Sequence, residues 1–122
     1  YVLDGDGALL LKMGTLSTIG HYVPENLIHI CFDNNAYEST GGQRTASKNV
    51  NFPTVSLACG YNYAKSVLTV KEFKNILKKI IHKRGPHFIH TKIKAGKIEN
   101  LKRPMTTPTT MKMNLMHHLN IE

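Results

Sequence analysis

The sequence predicts an α/β fold, a three-layer α/β/α arrangement around a mainly parallel sheet. Segments with strand-like and helix-like hydrophobic patterns alternate along the chain, as in folds with parallel sheets. Small polar clusters at residues 4–7 and 33–35 follow the first two predicted strands. Ligands bind at such strand ends in parallel sheets. With 122 residues and 41% hydrophobic residues, the chain fits one domain, residues 1–122.

The first half of the chain is predicted as strand, helix, strand and loop. Residues 1–3 form the end of an apolar strand, and residues 8–20 place apolar side chains at helical spacing, with Gly20 as the helix stop. Residues 27–32 are rich in β-formers and predict a buried parallel strand. Residues 36–48 are predicted to be a long polar loop.

The second half alternates helices and strands again. A short helix with a proline in its first turn is predicted at residues 53–60, and a strand at 66–70. Residues 71–83 carry one apolar stripe and predict a helix. A strand at 87–94 and a final helix at 109–119 complete the chain, with a loop between them.

Charge and cysteine content exclude several function classes. The net charge is +8, but many of the basic residues fall in the predicted helix at 71–83, mostly off its apolar stripe. Trp is absent and aromatic residues do not alternate with basic ones, so a nucleic-acid role is not favoured. No apolar run reaches the ~18 residues of a membrane span. Two cysteines inside apolar segments indicate a reducing compartment, and we expect a cytoplasmic location.

The two polar clusters are spaced so that they face one crevice. Between Gly7 and Asn34 lie 26 residues, enough for one helix and one strand, so the first two strands are predicted to be neighbours. Gly-Asp-Gly alone is common in turns, and Asn-Asn alone carries even less information. Together, the two motifs at the ends of neighbouring strands predict a binding site.

The residue types suit Mg²⁺ bound to a diphosphate. Asp6 offers a carboxylate oxygen and Asn35 an amide oxygen, both ligands that Mg²⁺ accepts. Gly5 and Gly7 allow the backbone to approach a phosphate closely. The helix expected to begin near Ala8 would direct free N–H groups at it. Further donors are expected from the loop: Ser39, Thr40, Gly41 and Gly42.

At these residues the chain resembles a known family, the thiamine-diphosphate enzymes, whose diphosphate motif is Gly-Asp-Gly, some 25 to 30 residues, then Asn-Asn. The stretches LDGDGALLLKMGTLSTIG and NLIHICFDNNAYESTGGQ resemble the carboxyl-terminal part of the phosphonopyruvate decarboxylases, and the sulfopyruvate decarboxylases are similar. Residues 58–61, 85–96 and 100–108 extend the resemblance over nearly the whole chain.

The resemblance implies cofactors, ligands and partners. It implies thiamine diphosphate with Mg²⁺, and it adds the main-chain oxygen of Tyr37 to the metal ligands Asp6 and Asn35. Some pyruvate decarboxylases place an acid where this chain has Gly41. The family's catalytic glutamate belongs to an N-terminal pyrimidine-binding domain, of the same or a partner chain. We therefore expect these residues to be the C-terminal part of a longer, homo-oligomeric protein, inactive when isolated.

The resemblance also implies a substrate, an anionic 2-oxo acid that cationic side chains should meet. For phosphonopyruvate decarboxylases it is 3-phosphonopyruvate, converted to phosphonoacetaldehyde and CO₂. Candidate cations are Arg103, Lys94 and Lys97, although solvated loop charges explain them as well. Two alternatives stay open: a β-type subunit of sulfopyruvate decarboxylase, and a non-catalytic α/β binding module. Rates on the two acids would distinguish a sulfopyruvate decarboxylase from a phosphonopyruvate decarboxylase. Mg²⁺-dependent binding of the cofactor would distinguish either enzyme from a non-catalytic module.

Overall fold

The computed structural model describes residues 1–96, 100, 102 and 104–121. Its elements along the chain are β1 (Val2–Gly5), α1 (Asp6–Leu11), α2 (Thr15–Tyr22), β2 (Ile28–Asp33), β3 (Ala36–Tyr37), β4 (Gln43–Arg44), α3 (Phe52–Ala58), β5 (Tyr63–Val67), α4 (Val70–Ile80), β6 (His87–Lys92) and α5 (Pro108–His118). The candidate substrate cations Lys97 and Arg103 lie outside the described residues.

Four strands form one sheet in the order β1-β2-β6-β5, and every pair in it is parallel. The mainly parallel α/β fold is therefore confirmed. β1 and β2 lie side by side, with Gly5 opposite Phe32, as the 26-residue spacing predicted. The carboxyl ends of these two strands and of β6 consequently share one edge of the sheet.

The two faces of the sheet pack against different layers. One face contributes to a cluster with aromatic and sulfur-containing members: Leu9, Leu16, Cys31, Phe52, Tyr61 and Phe88. The other face packs mainly aliphatic side chains from the sheet and α4: Ile28, Ile30, Val67, Ile76, Ile80 and Ile89. Among the helices that the structure describes, none has the length and apolar content that a membrane span requires.

The single helix predicted at residues 8–20 is wrong, because α1 and α2 are separated by a turn. The turn lets both Leu9 and Leu16 reach the same core cluster. Gly20 does not end a helix but lies inside α2, which closes at Val23 in the left-handed conformation (φ 46°). A Cβ on Gly20 would lie 1.6 Å from the Cys59 carbonyl oxygen, so glycine is required for the approach of these two segments.

The polar loop predicted at residues 36–48 is also wrong in detail, since it contains a small antiparallel hairpin. β3 and β4 pair Ala36 with Arg44 and Tyr37 with Gln43. Gly41 (φ 129°) and Gly42 (φ 80°) make the turn between them, in a conformation that favours glycine. A two-residue strand is too short to show a period in sequence, which is why the hairpin was missed.

Boundaries in the second half shift by a few residues. β5 covers Tyr63–Val67 rather than 66–70, because a capping box formed by Thr69 and Glu72 begins α4 at Val70. α4 and β6 end three and two residues earlier than predicted, at Ile80 and Lys92. α3 and α5 were predicted to within two residues at their ends.

Candidate functional site

Asp6 is one of two buried acids in the site, the other being Asp33. It is the first residue of α1, directly after β1, and its exposed fraction is 1%. The Thr45 hydroxyl donates to Asp6 Oδ2 at 2.5 Å. Thr45 follows β4, so the hairpin brings its hydroxyl to the end of β1. The predicted acid is therefore inside the crevice, held by a residue from the segment predicted to be a loop.

Asp33, at the end of β2, connects the crevice to the centre of the sheet. It is 0% exposed. Its Oδ1 accepts from the Ser47 hydroxyl (3.0 Å) and from Asn35. Its Oδ2 lies 2.8 Å from His90 Nε2 and 2.5 Å from Lys92 Nζ. Ser47 in turn contacts Thr45, with 3.1 Å between the two hydroxyl oxygens, so a continuous polar chain runs from Asp6 to Asn35.

Asp33 is ionised despite its burial. Burial raises the pKa of this carboxyl. Hydrogen bonds from Lys92, His90, Ser47 and the Asn35 backbone lower the pKa by more than burial raises it, so the net shift is downward. A buried carboxylate of this kind is a rigid acceptor. It fixes the orientation of every side chain that donates to it.

The two asparagines of the motif have different tasks. Asn34 stabilises the hairpin: its Nδ2 donates to Glu38 at 2.8 Å, and its Oδ1 accepts from Ala36 N at 3.0 Å. Asn35 adopts a left-handed conformation (φ 59°), and both its main-chain N and its Nδ2 donate to Asp33 Oδ1. With its amide nitrogen held this way, the Oδ1 atom of Asn35 is the one available to a ligand.

Tyr37 and Gly7 fit against each other across the crevice. A Cβ on Gly7 would lie 2.6 Å from the Tyr37 ring, so only glycine leaves room for that ring. The Tyr37 carbonyl accepts from Gly42 N at 2.9 Å and from the Thr40 hydroxyl at 3.4 Å. A metal at this oxygen would replace the longer contact, the one from the exposed Thr40 hydroxyl. A carboxylate, an amide oxygen and a main-chain carbonyl together form a donor set that fits Mg²⁺.

The other predicted cofactor contacts are arranged around this centre. Gly5 ends β1, and Ala8 lies exposed in the first turn of α1. Ser39 and Thr40 form an exposed 3-10 turn that leads to Gly41. Within the described residues, no group of three His, Cys, Asp or Glu side chains is placed so that it could hold a metal.

The candidate substrate cations are less well defined. Lys94 is exposed and follows β6. Lys97 and Arg103 lie outside the described residues. Lys92, which was not predicted, is fixed on Asp33 and lines a cleft of about 460 Å³ together with Arg44 and Lys48.

Sequence reasoning also missed the buried histidines of this face. His90 Nδ1 lies 2.9 Å from the Ser66 hydroxyl, while its Nε2 faces Asp33. His29 contacts the Tyr61 hydroxyl (3.1 Å) and Asp4 (3.4 Å); burial lowers its pKa more than Asp4 raises it. A signal existed in the strand pattern, since His90 and Lys92 are two residues apart and therefore point to the same face of β6.

The fold and the site together define a class of protein. A parallel α/β sheet with a buried acid, an oriented amide and glycine-lined turns at one carboxyl edge is typical of domains that bind phosphate-bearing cofactors. The family model described as "Thiamine pyrophosphate enzyme, C-terminal TPP binding domain" matches residues 1–91. The chain belongs to this family of thiamine-diphosphate-binding domains.

Curated relatives agree with this assignment. The chain is 39% identical over 107 residues to a phosphonopyruvate decarboxylase of Streptomyces viridochromogenes, covering 88% of the chain and 27% of that protein. It is 44% identical over 80 residues to the sulfopyruvate decarboxylase subunit beta of Methanocaldococcus jannaschii, covering 62% of the chain and 43% of the subunit. With the corresponding subunit of Methanococcus maripaludis it shares 33% identity over 115 residues, or 94% of the chain and 61% of the subunit.

Proposed function

We propose that this chain binds the diphosphate of thiamine diphosphate through Mg²⁺ and serves in the decarboxylation of 3-phosphonopyruvate to phosphonoacetaldehyde and CO₂, a step of phosphonate biosynthesis. The observation that carries the proposal is the polar chain from Asp6 through Thr45, Ser47 and Asp33 to Asn35. It joins the two halves of the motif in one crevice. The similarity to phosphonopyruvate decarboxylases supports the choice of substrate.

Each residue of the crevice has a stated task in this proposal. Asp6, Asn35 and the Tyr37 carbonyl hold Mg²⁺. Thr45 and Asp33 orient Asp6 and Asn35. The backbone at Gly5, Gly7 and Ala8 would meet the diphosphate, and Ser39, Thr40 and Gly41 would add further donors. When bound, thiamine diphosphate supplies the electron sink for the loss of CO₂.

The rest of the active site belongs, in this proposal, to a pyrimidine-binding domain of the same or a partner chain. The chain spans 27% of the length of the phosphonopyruvate decarboxylases it matches. We propose that the catalytic glutamate lies on that second domain, within a homo-oligomer. The two free cysteines support a cytoplasmic location.

A second candidate function is that of a sulfopyruvate decarboxylase β subunit. The similarity to subunits of this name in several archaea favours it, and for one of them the match extends over 61% of the subunit. The two functions share the cofactor site and differ in the anion of the substrate.

Calorimetry on the full-length protein tests the cofactor site. We expect thiamine diphosphate to bind in the presence of Mg²⁺ and not in the presence of EDTA. Asp6→Asn should weaken binding at least tenfold, because it removes the only charge among the proposed metal ligands. The matched control is Glu25→Gln, which makes the same change on an exposed acid next to Arg84. Equal affinity of the Asp6→Asn variant and the wild type would refute the site.

Turnover then separates the candidate functions. We expect CO₂ release from 3-phosphonopyruvate by the full-length, cofactor-loaded protein. Release from sulfopyruvate alone would establish the second candidate instead. Cofactor binding without turnover of either acid would contradict the decarboxylase assignment, and no binding in a folded protein would leave a non-catalytic α/β module.

A further inference from the structure

A cleft with an excess of positive charge opens between the carboxyl ends of β2 and β6. Its volume is about 460 Å³, within the range of small-molecule sites. Its charged lining residues are three cations, Arg44, Lys48 and Lys92, and one acid, Asp33. The lining of the cleft therefore has a net charge of +2.

This cleft lies on the opposite side of β2 from the Gly-Asp-Gly turn. In the sheet order β1-β2-β6-β5, the turn extends from β1, whereas the cleft is bounded by the residues that follow β2 and β6. Asn35 lines the cleft and is also a proposed metal ligand. Thr45, whose hydroxyl donates to Asp6, lines the cleft as well, so the two places adjoin at Asn35 and Thr45.

Backbone pairing brings the three cations to this place. Arg44 is the register partner of Ala36, directly after Asn35, in the β3–β4 hairpin. Lys92 is the register partner of Asp33 across β2 and β6. Lys48 belongs to the 3-10 turn Ser47–Asn49, whose first residue donates to Asp33. All three positions depend on the elements that also hold Asn35.

Lys92 is held in place, and the other two cations are open to solvent. The Lys92 ammonium lies 2.5 Å from the buried Asp33 carboxylate and has two further protons to donate. Arg44 and Lys48 are exposed, and none of the salt bridges among the described residues involves them. Arg44 can offer a fork of donors to a tetrahedral oxyanion, and Lys48 a point charge.

We propose that Arg44, Lys48 and Lys92 bind the tetrahedral anionic group at the C3 end of the 2-oxo acid, a phosphonate or a sulfonate. The inference rests on the proposed function and identifies the specificity site of that reaction. The proposed diphosphate contacts Gly5, Gly7, Ala8, Ser39, Thr40 and Gly41 do not line this cleft, so its cations are placed to meet a second anion. The excess of two charges matches a phosphonate dianion.

The test uses the full-length, cofactor-loaded protein and the double variant Arg44→Gln/Lys48→Gln. Both side chains are exposed, so their replacement leaves the core intact. The control, Lys71→Gln/Lys74→Gln, removes two charges from exposed positions of α4. Measured are the Kd of phosphonoacetate, the Kd of thiamine diphosphate, and KM and kcat for 3-phosphonopyruvate and sulfopyruvate.

We expect the cleft variant to raise the Kd of phosphonoacetate and the KM of the turned-over acid at least tenfold. The Kd of thiamine diphosphate should stay within twofold, and the control should change none of these values. A tenfold loss of thiamine diphosphate affinity with unchanged phosphonoacetate binding would assign the cations to the cofactor and overturn the proposal. Unchanged values throughout would overturn it as well.

Failure of the proposed function gives a different result. A wild-type protein that binds thiamine diphosphate but decarboxylates neither acid contradicts the proposed reaction. If phosphonoacetate still binds that protein, and binding is lost in the cleft variant, the anion site is supported independently of turnover.

Discussion

The two faces of the sheet are built from the same strands but differ in chemistry. Along β2, the residues Ile28 and Ile30 face α4, whereas His29, Cys31 and Asp33 alternate with them on the other face. β6 repeats the pattern, with Ile89 on the α4 side and Phe88 and His90 opposite. The face toward α4 is closed by apolar packing, mainly of aliphatic side chains, with Phe32, Tyr63 and Phe73 packed against them. The opposite face combines apolar packing with a buried network of ionised and hydrogen-bonded groups.

The difference shows that burial alone does not separate core from site. His29, Asp33 and His90 are as buried as the isoleucines next to them, at 5% exposure or less. Their role follows from what they touch. A buried carboxylate with several donors holds its partners in one geometry, whereas an aliphatic core tolerates volume-conserving exchange. The proposed site lies at the edge of the face that we expect to be less tolerant of substitution.

The largest effect is expected from Asp33→Ala. The change leaves the buried donors of His90 and Ser47 without their acceptor, and at about 1–3 kcal/mol for each buried group left unsatisfied the total cost is about 3–5 kcal/mol. The free energy of unfolding, measured by urea denaturation of the full-length protein, should fall by that amount. Thiamine diphosphate affinity should fall with it, because Asn35 loses the group that orients it.

Two further variants keep this prediction decisive. Asp33→Asn keeps the shape of the side chain but removes its charge. It tests the site if the alanine variant does not fold. Glu25→Ala removes the acid of the exposed pair with Arg84 and should leave the unfolding midpoint unchanged. A loss of stability in the glutamate variant equal to that of the Asp33 variants would show that the network has no special importance.

A smaller effect is expected from Gly7→Ala. The added methyl group would lie 2.6 Å from the Tyr37 ring, which must move away. Overpacking of this kind costs about 1–3 kcal/mol, and the displaced Tyr37 carbonyl should weaken Mg²⁺-dependent cofactor binding. The matched control is Gly14→Ala, since a Cβ at Gly14 meets nothing within 4 Å. Similar cofactor affinity of the two variants would contradict the close fit of Gly7 and Tyr37.

The sequence predicted the parallel sheet and the position of both motif halves, because these depend on local signals. Alternating segments set the fold class, and the 26 residues between Gly7 and Asn34 set the adjacency of β1 and β2. Asp6 was predicted to be a metal ligand from its place after a strand, and this stays a prediction. The structure shows that its side chain is buried at the end of β1.

Thr45, Ser47 and Lys92 could not be assigned in the same way. Thr45 reaches Asp6 from 39 residues away, and Lys92 reaches Asp33 from 59 residues away. Such contacts depend on strand order and register, which no local pattern contains. β2 and β6 are neighbours although α3, β5 and α4 lie between them in sequence. Period-two alternation in IHICFD and HFIHTK was the one available signal, since it places His90 and Lys92 on one face.

On the α4 face, Ile89→Val should have a modest effect on stability and no effect on function. Ile89 is 0% exposed, and loss of one buried methylene costs about 1 kcal/mol. Thiamine diphosphate affinity should equal that of the wild type. A large change in affinity would show that the two faces are coupled, and the comparison between them would have to be abandoned.

The least perturbing experiment labels the two free cysteines. Cys31 lies on the polar face at 0% exposure, and burial, with Asp33 and further acids, raises the pKa of its thiol to about 12. At pH 8 only about one such thiol in ten thousand is a thiolate, so iodoacetamide should spare it. Cys59, half-buried after α3, should be modified first, as peptide mass spectrometry of the natively alkylated protein can show. Urea should make both react. Rapid native alkylation of Cys31 would mean that water reaches the interior of this face, and a rigid network around Asp33 would then be ruled out.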